Sequence, residues 1–343
     1  ITGNTSQAAV ARAAEEDVDG YILKPYTVDG LRNTIMRMAI SKAYPGDYTR
    51  KIEQGKEYLD NKEIDLADQA FKDALNMDPK PSLAHFYHGQ VEILKQTLLN
   101  AEGDYAKGLS FNKIHYKCLT GIFDLYMDQK RHKEAYEIVR RIARYFPANP
   151  ERLSTVLRLA VINKAYEDIE RYYQLFCKLE HRHDNLTKYI SAALVVCGKY
   201  YLSGKTQTRA VELFSKAAIT SQGRPFILKE IILSLVQADM LIEAETFLKR
   251  YPAKLQNSPE YEALQYTVMA RTMSLGSAVT RGRELLRKGV QDYVVYSTLI
   301  SHSITAGFTD DAENVAAEAK KLFPDQVEAI QELFTNPKNK KAA

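Results

Sequence analysis

Small and aromatic residues recur along this chain at fixed offsets, and that recurrence restricts the fold more than any other feature. The first clear instance runs from Gly55-Lys56-Glu57-Tyr58 through Ala67, Phe71 and Ala74 to Pro79. Gly55 and Ala67 are small where two helix backbones would cross, and Tyr58 and Phe71 fill the space beside the crossing. Ala74 leaves room for the next unit. Pro79 ends the second helix, because it has no backbone N–H and collides with the preceding turn. Gly89, Ala101, Tyr105 and Gly108 repeat these offsets. The period is about 34 residues, the size of one helix–turn–helix unit.

Further units follow in order. A third starts near Tyr116 with Ile122, Tyr126, Ala135, Val139, Ile142 and Pro147, and Phe123 at its usual small position predicts a more open helix pair. The fourth, from Pro150, keeps the helical spacing of Leu153, Leu157, Ile169, Tyr173 and Phe176 but loses the small residues. The fifth, from Ser191, restores the full pattern with Cys197, Gly198, Tyr201, Ala210, Phe214 and Ala217. Pro225, Ser258 and the run from Leu299 to Pro324 mark three more, and Val327 to Phe334 reads as a cap helix covering the last face.

On these residues, 48–324 resembles tetratricopeptide (TPR) proteins. The resemblance implies an all-α superhelical solenoid of about eight TPR-like helix pairs that binds a protein or peptide in a groove lined by the first helix of each pair. The ninth position of each repeat would face that groove, which selects Lys56, Gln90, Asp124, Arg158 and Lys199. Residues 325–343 are expected to be the cap helix and a disordered basic tail.

The first 42 residues do not follow this period. Their pattern is a strand end at Ile1, a helix over Thr5–Ala14, a short buried strand over Gly20–Leu23 and a helix over Val28–Ile40, which is a βαβα remnant of a parallel sheet. Thr2 at the first strand end, Tyr21 within the second and the Lys24-Pro25 pair at its close resemble the C-terminal part of a response-regulator receiver domain, a partial flavodoxin-like α/β segment. The resemblance implies that Thr2 would hydrogen-bond a phosphoryl group, Lys24 would pair with its charge, Tyr21 would be the aromatic switch and Lys24–Pro25 a cis peptide. It also implies an output face used for dimerisation. The family's phosphoacceptor Asp and its Mg²⁺-holding acids would lie upstream and are not in this sequence, so no cofactor is assigned to this chain and Mg²⁺ is expected only with a complete receiver. Residues 43–47, with Pro45-Gly46, form a short join that would couple the two parts.

A net charge of +4 over 343 residues gives no concentrated basic face, so nucleic acid is not expected as a partner. No run of about 18 apolar residues marks a membrane span and no leader opens the chain, so the reading is cytoplasmic. Cys118, Cys177 and Cys197 read as reduced core residues. His85 and His88 share a helix face and could contribute to a metal site with partners elsewhere, though partly exposed repeat histidines are the plainer reading. Lys130-Arg131-His132-Lys133, Arg140, Arg141 and Arg144 sit among Asp124, Asp128, Glu134 and Glu137, the pattern of a salt-bridged surface or of a docking patch for an acidic partner. No catalytic constellation is visible, and the chain is expected not to be an enzyme. The function expected is a two-component signalling protein whose repeats are a receiver-controlled interaction module. The alternatives are a constitutive scaffold with a vestigial receiver, or a regulator that binds a sensor histidine kinase.

Overall fold

A computed structural model describes residues 22, 25–146, 150–179, 182–204 and 206–335. Among them there is no strand, and α-helices follow one another along the chain. They are α1 Val28–Ala43, α2 Asp47–Asp60, α3 Ile64–Leu75, α4 Ser82–Leu94, α5 Leu98–Phe111, α6 Tyr116–Asp128, α7 His132–Tyr145, α8 Pro150–Ile162, α9 Tyr166–Cys177 and α10 Asp184–Ser203. There follow α11 Gln207–Thr220, α12 Pro225–Gln237, α13 Leu241–Leu248, α14 Pro259–Ala270, α15 Leu275–Arg287, α16 Tyr293–Thr305, α17 Thr309–Leu322 and α18 Val327–Thr335. The chain divides into two compact units, 1–189 and 190–343, and the division falls within α10. These helix pairs resemble those of a TPR array.

In unit 1, aromatic rings of the second helices lie on glycines of the first. A Cβ on Gly55 would fall 2.4 Å from the Phe71 ring, and one on Gly89 would fall 2.6 Å from the Tyr105 ring. Both rings are fully buried, and burying a side chain of this size contributes about 2–3 kcal/mol. Gly121 of α6 also faces the Tyr105 ring, at 2.8 Å. The small residue of the third repeat therefore serves the hairpin before it, two positions ahead of Phe123. In the fourth repeat Tyr172, not Tyr173, enters the core, where its hydroxyl meets that of Tyr136 at 3.2 Å. Tyr173 stays half-buried and stacks on Phe176.

Unit 2 repeats the ring-on-glycine contact at Gly198, 2.4 Å from the Phe214 ring. Two hairpins later the roles exchange. Tyr266 on the first helix reaches Gly282 on the second, and its hydroxyl donates to the Ala278 carbonyl at 3.0 Å. Prolines start α12 and α14, where a missing N–H costs nothing. Ser258 caps α14 and Asp292 caps α16.

The turn inside most of the described pairs, though not between α14 and α15, keeps the period more strictly than the core residues do. Lys62, Gln96, Lys130 and Lys164 all have positive φ, between 56° and 64°, and stand 34 residues apart. In unit 2, Asp239 and Gly307 stand two periods apart with φ of 62° and 80°. In each case the next residue's N–H bonds to the carbonyl five positions back, as Glu63 to Tyr58, Thr97 to Glu92, Arg131 to Tyr126 and Phe308 to Ser303. This left-handed closure satisfies carbonyls that the first helix leaves open. Helix starts follow the same count, at Ser82, Tyr116 and Pro150 in unit 1 and at Pro225, Pro259, Tyr293 and Val327 in unit 2. The cap helix α18 thus begins where another repeat would.

Thr2, Tyr21, Lys24 and the expected Thr5–Ala14 helix lie outside the described residues, and so does most of the Gly20–Leu23 strand; Ile22 has no regular structure. Pro25 is exposed at a bend. Thr27 then caps α1 by accepting from the Gly30 N–H at 3.0 Å. The helix runs to Ala43, three residues past its expected end, and Tyr44–Gly46 separate it from α2. No residue of α1 is buried, and Ile35, Met36 and Ile40 are about half exposed. Cys118 and Cys197 are buried as expected, but Cys177 is exposed, because it is the last residue of α9 and follows the core residue Phe176 on the solvent side.

Candidate functional site

The ninth-position residues of unit 1 lie on its first helices, Lys56 on α2, Gln90 on α4, Asp124 on α6 and Arg158 on α8. Asp124 and Arg158 are exposed, and Lys56 and Gln90 are half-buried. The Lys56 ammonium sits 2.9 Å from the Glu53 carboxylate, and the Gln90 amide donates to the Tyr105 hydroxyl at 2.6 Å. Beside them Tyr87 stacks on Phe71 at 5.4 Å, and Lys117 lies over the Tyr87 ring while donating to its hydroxyl at 3.2 Å. This is a mixed polar row in which Lys56 is paired with Glu53.

Lys199 belongs to unit 2, where it is exposed and paired with Glu230 at 2.6 Å. Counting on in periods of 34 gives Leu233 on α12, Thr267 on α14 and Ser301 on α16. The sequence reading stopped at Lys199 and missed them, although the same count reaches them. The structure brings all three into one cleft of 610 Å³. Val236 and Gln237 on α12, Arg271 after α14, Tyr293, Val294, Ser297, Thr298 and His302 on α16, and Leu333 on the cap helix complete its lining. Arg271 pairs with Asp239 at 3.1 Å, and the His302 ring lies between the carbonyls of Thr298 and Ala270, at 2.8 and 3.0 Å. Hydroxyls and apolar groups dominate the wall. Such a surface can meet a backbone and small side chains with hydrogen bonds, without desolvating a carboxylate.

Two members of the basic cluster of the third repeat, Arg131 and Arg140, form ion pairs. Arg131 holds Glu102 at 2.7 Å and Glu134 at 3.0 Å, while Arg140 holds Glu137 at 2.7 Å. Arg141 donates to the Lys113 carbonyl.

His85 and His88 are a correction to the sequence reading. They are not partly exposed; only 7% and 9% of their surface remains accessible. His88 Nδ1 lies 2.6 Å from Asp104 Oδ2, and its Nε2 lies 3.0 Å from Asp68 Oδ1. His85 Nδ1 meets the other Asp104 oxygen at 3.0 Å. Lys72 and Lys95 donate to Asp68 Oδ2 at 2.8 and 2.7 Å. Burial alone would lower the His88 imidazole, but the Asp104 hydrogen bond and the charges of Asp104, Asp68 and Glu92 outweigh it and raise it. Burial would likewise raise Asp104, yet hydrogen bonds from both histidines bring it down to about 2. The partners of His88 lie on α3 and α5, 20 and 16 residues away respectively. Spacing along α4 alone does not reveal them.

No protein-family model and no curated protein sequence matches this chain. Among solved structures, a tetratricopeptide repeat protein from Parabacteroides merdae is 13% identical, with 74% of this chain and 97% of that one covered and a TM-score of 0.38. PilF of Pseudomonas aeruginosa is 17% identical over 73% of this chain and 95% of its own, with a TM-score of 0.27. The TPR2AB domain of yeast Sti1, solved as a complex with pHSP90, is 12% identical over 84% and 97%, with a TM-score of 0.35. The reading of the site rests on the chain's own repeat geometry. No helix among the described residues is long and apolar enough to cross a membrane.

Proposed function

We propose that this chain is a protein-interaction module that takes an extended, mostly uncharged polypeptide segment in the cleft of unit 2. The observation that carries this reading is the convergence of three consecutive ninth-position residues, Leu233, Thr267 and Ser301, on one cleft of 610 Å³, a volume within the usual range for ligand sites. Thr267 and Ser301 supply hydroxyls, Tyr293 and Leu333 supply apolar contact, and Arg271 sits at the edge with its charge already paired. In unit 1, Lys56, Gln90, Asp124 and Arg158 would form a second, polar contact row, and Lys199 a contact in unit 2. The test is a peptide array probed with the purified protein, followed by anisotropy on the best binder. Ser301→Arg should weaken that binder at least tenfold, while Arg158→Glu leaves it within twofold. Equal affinity in Ser301→Arg and the parent protein would remove the cleft from the account.

A second reading concerns residues 1–42 as the end of a receiver domain, 43–47 as its join and 48–324 as a phosphorelay output module, with a sensor histidine kinase as a partner and a homodimer formed through the receiver face. It is supported by α1, whose Ile35, Met36 and Ile40 stay exposed, as expected of a helix that packs on a sheet. The protein made from its own gene would be incubated with Mg²⁺ and an acyl phosphate and weighed intact. A stable phosphoryl adduct supports the reading; an unchanged mass removes phosphorylation from it.

A further inference from the structure

The densest group of ligand-type side chains outside the cleft lies between α3, α4 and α5 in unit 1. It is independent of the peptide-binding reading. His88 and Glu92 are four residues apart on α4 and so share a face. Asp68 meets them from α3. The three ligand atoms lie within 4.8 Å of one another. His88 Nε2 is 3.0 Å from Asp68 Oδ1 and 3.9 Å from Glu92 Oε1. Metal–ligand bonds near 2.1 Å put tetrahedral ligand atoms about 3.4 Å apart, so the observed pair of distances brackets the spacing required.

The second atom of each ligand is already anchored. Asp104 takes His88 Nδ1 at 2.6 Å, which turns Nε2 toward the other two ligands, and His85 fixes Asp104 in turn. Thr97 and Asn100 hold Glu92 Oε2 at 2.5 and 2.9 Å and leave Oε1 pointing at His88. Lys72 and Lys95 hold Asp68 Oδ2. A carboxylate behind the distal nitrogen of a ligating histidine is the usual outer support of such a centre.

The geometry points to a site for one divalent transition metal of the zinc class, bound by His88 Nε2, Asp68 Oδ1 and Glu92 Oε1 with water as the fourth ligand. On binding, the proton on His88 Nε2 leaves to solvent and the nitrogen lone pair passes to the metal; nothing is oxidised or reduced. One nitrogen and two carboxylate oxygens suit zinc or cobalt better than magnesium or calcium, which call for six or more oxygens. The ammonium groups of Lys72 and Lys95 oppose the incoming charge. Lys95 therefore lowers affinity, and removing it should raise affinity.

The test is calorimetric titration of chelator-treated protein with Zn²⁺, repeated with Co²⁺ for its visible absorption and with Mg²⁺ as the contrast. One equivalent of Zn²⁺ should bind in the micromolar range and Mg²⁺ should not. Glu92→Gln should weaken Zn²⁺ at least tenfold, and Lys95→Met should tighten it severalfold; melting curves without metal check that each variant is folded. Tighter binding in Lys95→Met cannot come from a merely damaged fold. Absence of saturable binding below 100 μM Zn²⁺, or the same affinity in the parent protein and both variants, would overturn the proposal by making the cluster a proton site only.

Discussion

Unit 1 and unit 2 repeat one backbone period and differ in how deeply they bury the charged groups that link their hairpins. Unit 1 joins neighbouring helices with charged groups. Its examples are the His85–Asp104–His88–Asp68 chain, the grip of Arg131 on Glu102, and Tyr136, whose hydroxyl reaches Asp168 at 2.5 Å. Unit 2 buries rings and aliphatics such as Phe214, Phe247, Ile231 and Leu264 almost completely; its charged links between helices, such as Lys229–Asp292 at 2.8 Å and Lys199–Glu230 at 2.6 Å, are less buried than the histidine chain of unit 1, and hydroxyls line a cleft. The period therefore dictates where a residue sits in a pair and leaves open what it does there. The ninth position is Lys, Gln, Asp and Arg in unit 1; in unit 2, after Lys199, it becomes Leu, Thr and Ser.

The contrast is sharpest in the two cores. Phe214→Ala should destabilise unit 2 by about 4 kcal/mol, because it empties a fully buried ring site against Gly198. Asp104→Ala should cost about 3 kcal/mol in unit 1 by leaving two buried histidines without their acceptor. Denaturant midpoints measure both. If Asp104→Ala proves nearly neutral, unit 1 is held by its apolar contacts after all and the contrast collapses.

A smaller effect separates charge from packing by pH. The Arg131 hydrogen bond lowers Glu102 against a weaker opposing effect of burial, so this carboxylate stabilises the fold where it is ionised. That contribution is complete above the ordinary glutamate range and disappears as pH falls through the lowered folded value. Glu102→Gln should cost about 0.5 kcal/mol at neutral pH, and the difference from the parent protein should close in acid. A gap that persists when acidified would mark it as lost packing. The smallest effect should ignore the division altogether. Lys62→Gly and Asp239→Gly place glycine where φ is 64° and 62°, and each should raise stability by about 0.5 kcal/mol, alike in both units.

Much of this fold was legible in the sequence, because close helix crossings need small residues and leave a visible beat. Gly55, Gly89 and Gly198 sit against the predicted rings for that reason. The fourth repeat was misread by one residue at Tyr172, where no glycine fixes the register. Burial of His85 and His88 was not legible, since their partners come from two other helices. The cleft was legible only in part: past the 41-residue step between the fourth and fifth repeats, the 34-residue count from Lys199 reaches Leu233, Thr267 and Ser301, but only the packing of their helices shows that they line one space.

The cap helix gives that beat a use at the far end of unit 2. Because α18 opens on the count, it stands where the first helix of a further repeat would, and its Leu333 lines one side of the cleft. The helix that shields the last core face is thus also a jamb of the doorway. Trimming it would widen the entrance as well as wet the core, whereas inserting one whole repeat before it would move the jamb along by one position and keep every other part in step.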